Sequence, residues 1–352
     1  MRYLPINQLR EGMLLGQELQ DAHGQMLLKK HTRLTKENIS YISFLEVEGL
    51  YIDDDISKDV EIKEVIEPEV KKASLQLISE LFGSVAESDE SESSAKKDDI
   101  IETVEHVVDN VLSNRDVVYN MMEVRTYDNY TYYHSVNVGI LTGVIGAKMG
   151  LSEAELQHAV TAGFLHDIGK VFIDANVLNA PRRLSEDERI KMMDHPREGY
   201  EFLMEHYDLP REVLLGVYEH HEWYDGGGYP CRKTGKETGK ISRIIKAADV
   251  YDAMTSKRAY HDPYLPSEVL EYIMGRSGME FDPEVVKTMV WELCVYPVGC
   301  EVELSNGEYA LVVKNHKGYS LRPTVKLIQS GRIIDLTSDR NSWNLTIVKL
   351  LI

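Results

Sequence analysis

The sequence predicts a mainly α protein: an all-helical bundle, a small α+β module before it and a small β extension after it. Three observations lead there. From Ile100 to about Val295 the apolar pattern is helical, with breaks at Gly150, Gly169, Pro181, Pro210, Gly226–Gly228, Pro263 and Pro283. After Tyr296-Pro297-Val298-Gly299 the texture changes to short β runs. Within the first 54 residues a hairpin signal, one amphipathic helix and a last apolar run follow each other closely. The division expected is therefore residues 1–54, 55–98 (a helix and an acidic linker), 99–297 (the bundle) and 298–352.

Each element has a local reason. Met13-Leu14-Leu15-Gly16 and Met26-Leu27-Leu28 flank Asp21-Ala22-His23-Gly24, a hairpin signal. Leu34-Thr35-Lys36-Glu37-Asn38 opens a helix carrying Ile39, Ile42 and Leu45 on one face, and Gly49-Leu50-Tyr51-Ile52 reads as a strand. Residues 56–84 alternate charge with apolar positions such as Val65, Leu77, Ile78, Leu81 and Phe82, which predicts a helix interrupted near Pro68. Glu87 to Asp99 has no large apolar residue to offset its ordering entropy, so a flexible linker is expected. Ser152-Glu153-Ala154-Glu155 and Ser185-Glu186-Asp187-Glu188 have the form of helix N-caps with first-turn acids. Glu301-Val302-Glu303-Leu304, Tyr309–Val313, Thr324–Ile328 and Arg332–Leu336 are β runs separated by Asn306-Gly307, Lys317-Gly318 and Ser330-Gly331, a β-barrel-like pattern.

Composition narrows the function. With 43% hydrophobic and 28% charged residues the chain reads as a soluble globular protein. A formal charge of −19 argues against a nucleic-acid polymer as partner, because a phosphate backbone needs a basic surface. Cys231, Cys294 and Cys300 lie far apart, so neither a disulfide framework nor a zinc ribbon is expected. No apolar leader opens the sequence, and Val136–Ala147, its most apolar stretch, is shorter than the ~20 residues of a spanning helix. A cytoplasmic protein with no membrane segment is the expectation.

The chemistry concentrates in a few residues. Gly163-Phe164-Leu165-His166-Asp167-Ile168-Gly169-Lys170 places an imidazole beside a carboxylate on an apolar segment. Downstream come His195 before Pro196, His220-His221-Glu222, and Asp249 in an apolar stretch; upstream His134 sits in Tyr132-Tyr133-His134-Ser135-Val136-Asn137. Five imidazoles and two carboxylates are the ligand set of a two-metal hydrolytic site. Mixed nitrogen and oxygen ligands with no thiolate favour iron or manganese over zinc.

His166-Asp167 together with His220-His221-Glu222-x-x-Asp225-Gly226-x-Gly228-Tyr229-Pro230 resembles the HD-GYP family, cyclic di-GMP phosphodiesterases among the HD metal-dependent phosphohydrolases. The resemblance covers about residues 99–297. It implies that His134, His166 and Asp249 hold one metal, and that Asp167 bridges to a second held by His195, His220 and His221. A hydroxide between the two ions would be the nucleophile. It implies that Lys170 faces the scissile phosphate, a role favoured over the alternative of a lysine that complements a helix dipole. Asp225, Gly228 and Tyr229 would border the active site, and Asp252 and Arg258 would face substrate; an Arg258–Asp252 ion pair is the competing reading. Two departures bear on substrate grip: Trp223 stands where the family often has arginine, and His261 where a basic residue is frequent. Tyr130 replaces the glutamate by which some members hold a third ion, so two metals are expected. The implied ligand is cyclic di-GMP, with homodimerisation left open. Another cyclic dinucleotide or nucleotide as substrate, or a receptor without turnover, fits the same residues.

Overall fold

The computed structural model describes residues 1–20, 26–45, 47, 49–86, 93–114, 117, 130–178, 180, 182–256 and 263–351. Its elements begin with β1 (Arg2–Pro5), β2 (Leu14–Leu15), β3 (Leu19–Gln20), β4 (Met26–Leu28), α1 (Lys36–Phe44) and β5 (Gly49–Asp53). Helix α1 starts at a reciprocal cap: Thr35 Oγ1 accepts from Asn38 N at 3.2 Å and Asn38 Oδ1 from Thr35 N at 3.1 Å. Strands β1, β5 and β2 form an antiparallel sheet in that order, with Tyr3 opposite Tyr51. The hairpin signal resolves differently from expectation. Met26–Leu28 pair with Leu19–Gln20, their nearer neighbours in sequence, while Leu14–Leu15 pair with β5. Residues 21–25 themselves lie outside the described ones.

The helices follow. α2 (Pro68–Ala86) begins at the proline expected to interrupt it, a position where the missing N–H costs nothing. α3 (Ser93–Ser113) corrects the acidic linker: residues 93–99 are its first turns, and 87–92 lie outside the described residues. Burial of Ile100, Val104, Val107, Val108 and Val111 stabilises α3, and a formed helix extends cheaply into the polar residues ahead of it. Then come α4 (Tyr130–Lys148), α5 (Glu153–Leu165), α6 (Ala175–Leu178), α7 (Glu186–Met192), α8 (His195–His206), α9 (Arg211–Glu219), α10 (Lys240–Thr255), α11 (Pro266–Gly275) and α12 (Pro283–Glu292). The two serines cap α5 and α7 as expected, each in a capping box with Glu155 or Glu188.

One apolar core joins α2, α3, α4, α5, α9, α10, α11 and α12. One close crossing is glycine on glycine: a Cβ on Gly163 would stand 2.6 Å from Gly139 Cα. That close approach of α4 and α5 brings His134 toward His166. The last strands, β6 (Glu301–Leu304), β7 (Tyr309–Lys314), β8 (Thr324–Leu327), β9 (Ile333–Asp335) and β10 (Ile347–Leu351), form an antiparallel sheet in the order β10-β6-β7-β8-β9. Among the described residues β9 and β10 are opposite edges, so this is an open sheet rather than a closed barrel. β10, absent from the strands expected above, is the apolar run at the C-terminus. Tyr3 and Tyr51 share a core with Val302, Val312 and Val325, and Tyr3 N donates to Gly299 O at 2.7 Å, so the first and last segments pack together.

Candidate metal centre

The ligand candidates sit where helices start, stop or face the core. His134 lies on α4, His166 caps the C-terminus of α5, His195 opens α8, His220 caps α9 with His221 next, and Asp249 is on α10. Four of the five rings are held from behind. His166 Nδ1 donates to Gly163 O at 2.8 Å, His195 Nδ1 to Met192 O at 2.7 Å and His220 Nδ1 to Val217 O at 2.7 Å. A carbonyl only accepts, so the proton is on Nδ1 and the neutral ring keeps its lone pair on Nε2. His134 uses a carboxylate for the same purpose: its Nδ1 is 2.7 Å from Asp252 Oδ2, and Asn137 Nδ2 donates to Asp252 Oδ1 at 3.1 Å.

The free edges converge. Asp167 Oδ2 lies 3.4 Å from His166 Nε2 and 3.6 Å from His134 Nε2, while its Oδ1 lies 3.3 Å from His195 Nε2. Asp249 Oδ1 is 3.1 Å from His134 Nε2. The potential ligand atoms of His134, His166 and Asp167 lie within 4.8 Å of one another, as do those of His195, His220 and His221. Asp167 therefore turns one oxygen to each group, the disposition expected of a bridge.

Whether cations fit can be judged from the protons. His195 Nε2 and His220 Nε2 are 3.2 Å apart, yet both rings have committed their proton to a backbone carbonyl. Two lone pairs so close repel unless a positive centre lies between them. His166 Nε2 is likewise buried with no hydrogen-bond partner. Ligand atoms spaced 3.1–3.6 Å apart are also what ligation at roughly 2.0–2.2 Å requires. This nitrogen and oxygen cluster can hold metal.

Electrostatics agree. Burial drives His220 and His221 well below the usual imidazole range, and the neighbouring imidazoles add to it, so both are neutral donors. For Asp167 burial pulls upward, but His166 and Lys170 overcome it and hold the carboxyl well below its usual range; His134 does the same for Asp249. His134 itself is lowered by burial and raised more by its bonds to Asp249 and Asp252, for a net rise. The signs give a pH prediction for chelator-stripped protein. His220 and His221, depressed in the folded state, contribute stability present above about 6.5 and lost as pH falls below it. His134 contributes the opposite way, so two groups outweigh one. The melting temperature should fall between pH 7.5 and 5.5, and added metal should raise it more at pH 7.5 than at pH 5.5, because protons compete with metal for the ligands; a flat profile without metal would contradict the protonation states assigned here.

The remaining site residues divide. Lys170 is on a 3₁₀ turn (Ile168–Phe172) and its Nζ lies 2.5 Å from Asp167 Oδ2. Gly169 lets that turn press on α8: a Cβ there would stand 2.0 Å from His195 O. Tyr229 stacks on His221 with ring centres 4.7 Å apart, and burial pushes its hydroxyl's pKa upward. Asp225 is exposed and accepts from Gly227 N at 2.9 Å, so it shapes the loop. Gly228 is needed because a Cβ would meet Trp223 N at 2.2 Å. Asp252, expected to face substrate, is wholly buried behind His134; a carboxylate one turn beyond Asp249 on the same helix reaches the back of that ring. Arg258 and His261 lie outside the described residues, as does the side chain of Tyr130. Sequence reasoning gave Glu222 and Asn137 no role. Glu222 accepts from Cys231 N at 2.5 Å and Lys233 N at 3.1 Å, clamping the chain that leaves the glycine loop. The position of Glu222 inside the motif was the available signal.

Asp252→Asn should keep the shape but lose the charge that orients and polarises His134. A 10–100-fold weakening of metal binding or turnover is the usual cost of losing such an outer partner. Metal titration of the variant against the parent checks it, and unchanged affinity would contradict the orienting role.

The HD domain family matches residues 106–285, about half of the chain. The chain belongs to the HD domain family. The chain is similar to a cyclic di-GMP phosphodiesterase of Pseudomonas aeruginosa, 32% identical over 229 residues, 65% of this chain and 55% of that protein. It is also similar to the 3'3'-cGAMP-specific phosphodiesterase 2 of Vibrio cholerae, 31% identical over 191 residues, 54% of this chain and 37% of that one. An HDG"Y"P protein from Bdellovibrio bacteriovorus shares the fold with a TM-score of 0.54 at 15% identity, covering 82% of this chain and 97% of that one. The chain spans about half or less of the length of these two curated relatives. Among the described residues no helix is long and apolar enough to cross a membrane.

Proposed function

We propose that this HD domain protein is a metal-dependent phosphodiesterase that hydrolyses cyclic di-GMP to pGpG or GMP. The observation that carries it is the set of inward Nε2 lone pairs, with those of His195 and His220 3.2 Å apart, around a carboxylate that touches both groups of ligands. His134, His166 and Asp249 would hold one divalent ion, His195, His220 and His221 the other, and Asp167 would be shared. The donor set suits iron or manganese. When bound, such ions activate water and neutralise charge on a phosphodiester.

The chain's own residues supply the rest. The carbonyls of Gly163, Met192 and Val217 and the carboxylate of Asp252 hold four of the five imidazoles in one tautomer, so those rings need no reorganisation when ligand binds. Lys170, partly exposed beside Asp167, presents an ammonium where charge on a phosphate oxygen would grow. Tyr229 offers a hydroxyl that stays protonated and can donate to the substrate.

The likeness to a 3'3'-cGAMP-specific enzyme favours a second reading, in which a mixed cyclic dinucleotide is the better substrate. Anaerobically iron- or manganese-loaded protein, given cyclic di-GMP, 3'3'-cGAMP and cyclic di-AMP in parallel, separates them by kcat/KM. Binding of cyclic di-GMP with no linear or mononucleotide product would overturn the proposal.

A further inference from the structure

Outside the ligand cluster, α10 carries a buried cation that the chemistry above leaves unused. Lys246, three residues before Asp249, is 6% exposed and lies 2.9 Å from Glu280 Oε1, which is equally buried. Removing two charges from water is costly, and a buried pair is weak evidence for stability by itself. Its partners suggest another use. Glu280 Oε2 accepts from Tyr272 OH at 3.1 Å, and the Glu280 carbonyl accepts from Tyr224 N at 3.2 Å. The adjacent Met279 carbonyl accepts from Asp225 N at 2.8 Å. Arg276 lies over the rings of Trp223 and Tyr272 with centroid distances of 6.0 and 5.7 Å. The contacts to Trp223, Tyr224 and Asp225 tie segment 276–280 to the start of the 223–229 loop, whose other end places Tyr229 on His221.

We propose that Lys246 and Glu280 are positioning residues: their ion pair fixes segment 276–281 to the helix bearing Asp249, and that segment holds the Trp223–Tyr229 loop at the height at which Tyr229 meets substrate. Arg276 completes the strut from the other side, on the very residue where the related motif often has its own arginine. The role rests on the phosphodiesterase reading, because the loop's task is to receive the dinucleotide.

The test uses the metal-loaded full chain carrying Trp291→Phe and Trp343→Phe, so that Trp223 is the only tryptophan and reports the loop independently of activity. Lys246→Met should raise KM for the dinucleotide about tenfold while kcat changes less than about threefold, the pattern of lost binding rather than lost chemistry. Metal content should be unchanged and acrylamide quenching of Trp223 should increase. Arg276→Ala, which leaves no charge buried, should do the same more mildly and guards against a Lys246→Met protein that fails to fold. Lys246→Arg should restore both readouts. Unchanged quenching and KM in both variants would overturn the proposal, as would metal loss in proportion to activity. If the parent hydrolyses no cyclic dinucleotide, the phosphodiesterase reading fails, while quenching still reports whether the strut holds the loop.

Discussion

Asp167→Ala is expected to empty both halves of the metal centre and abolish hydrolysis. Its two oxygens face different groups of imidazoles, Oδ2 toward His166 and His134 and Oδ1 toward His195. Removing it also leaves Lys170 without its partner and takes away the carboxylate oxygen that lies 3.3 Å from His195 Nε2. The loss should exceed the 10–100-fold that an outer partner costs. His134→Ala, by contrast, removes one ligand from one group and should chiefly lower occupancy there. Elemental analysis of anaerobically purified protein, expected near two ions per chain for the parent, measures both variants. An Asp167→Ala protein that keeps full metal would break the bridging assignment.

Removing residues 1–98 should give insoluble or metal-free protein. The bland acidic stretch at 87–99 invites the opposite expectation, a catalytic unit on a loose tether that survives the cut. Packing decides against it. Leu77, Ile78, Leu81, Phe82 and Val85 of α2 are buried in the same core as Val136 and Ile140 of α4, and the Phe82 ring meets Tyr132 edge-on at 5.8 Å, two residues before His134. Each such side chain contributes about 1.5–3 kcal/mol on burial. Five of them rival the ~5–15 kcal/mol by which a whole domain is stable. A chain beginning near residue 62 keeps α2 and should retain metal, with a lower melting temperature because Tyr3 and Tyr51 no longer cover the C-terminal sheet. Comparing melting temperature and metal content of the two truncated proteins against the parent gives the answer. A soluble, metal-loaded protein starting at residue 99 would show that α2 is dispensable.

Much of this protein could be read from local sequence. Ser152, Ser185 and Thr35 cap the helices they precede, because a cap is a matter of four consecutive residues. The seven ligand candidates were legible as residue types in a motif, since histidine and aspartate in that order have few other uses together. That they converge was decided only in three dimensions, by the Gly139–Gly163 crossing and by Gly169 lying against His195. Asp252 shows the limit most clearly. The sequence places it one turn from Asp249 but cannot tell which way it faces; α4, more than a hundred residues earlier, supplies the His134 and Asn137 that claim both its oxygens. The first turns of α3 fail in the same way: composition describes a residue's own preference, while burial of Ile100 and Val104 against distant helices decided what those residues became. Residue chemistry and short-range spacing are properties of the chain itself. Orientation, burial and the choice between substrate contact and support belong to contacts that only the folded bundle makes.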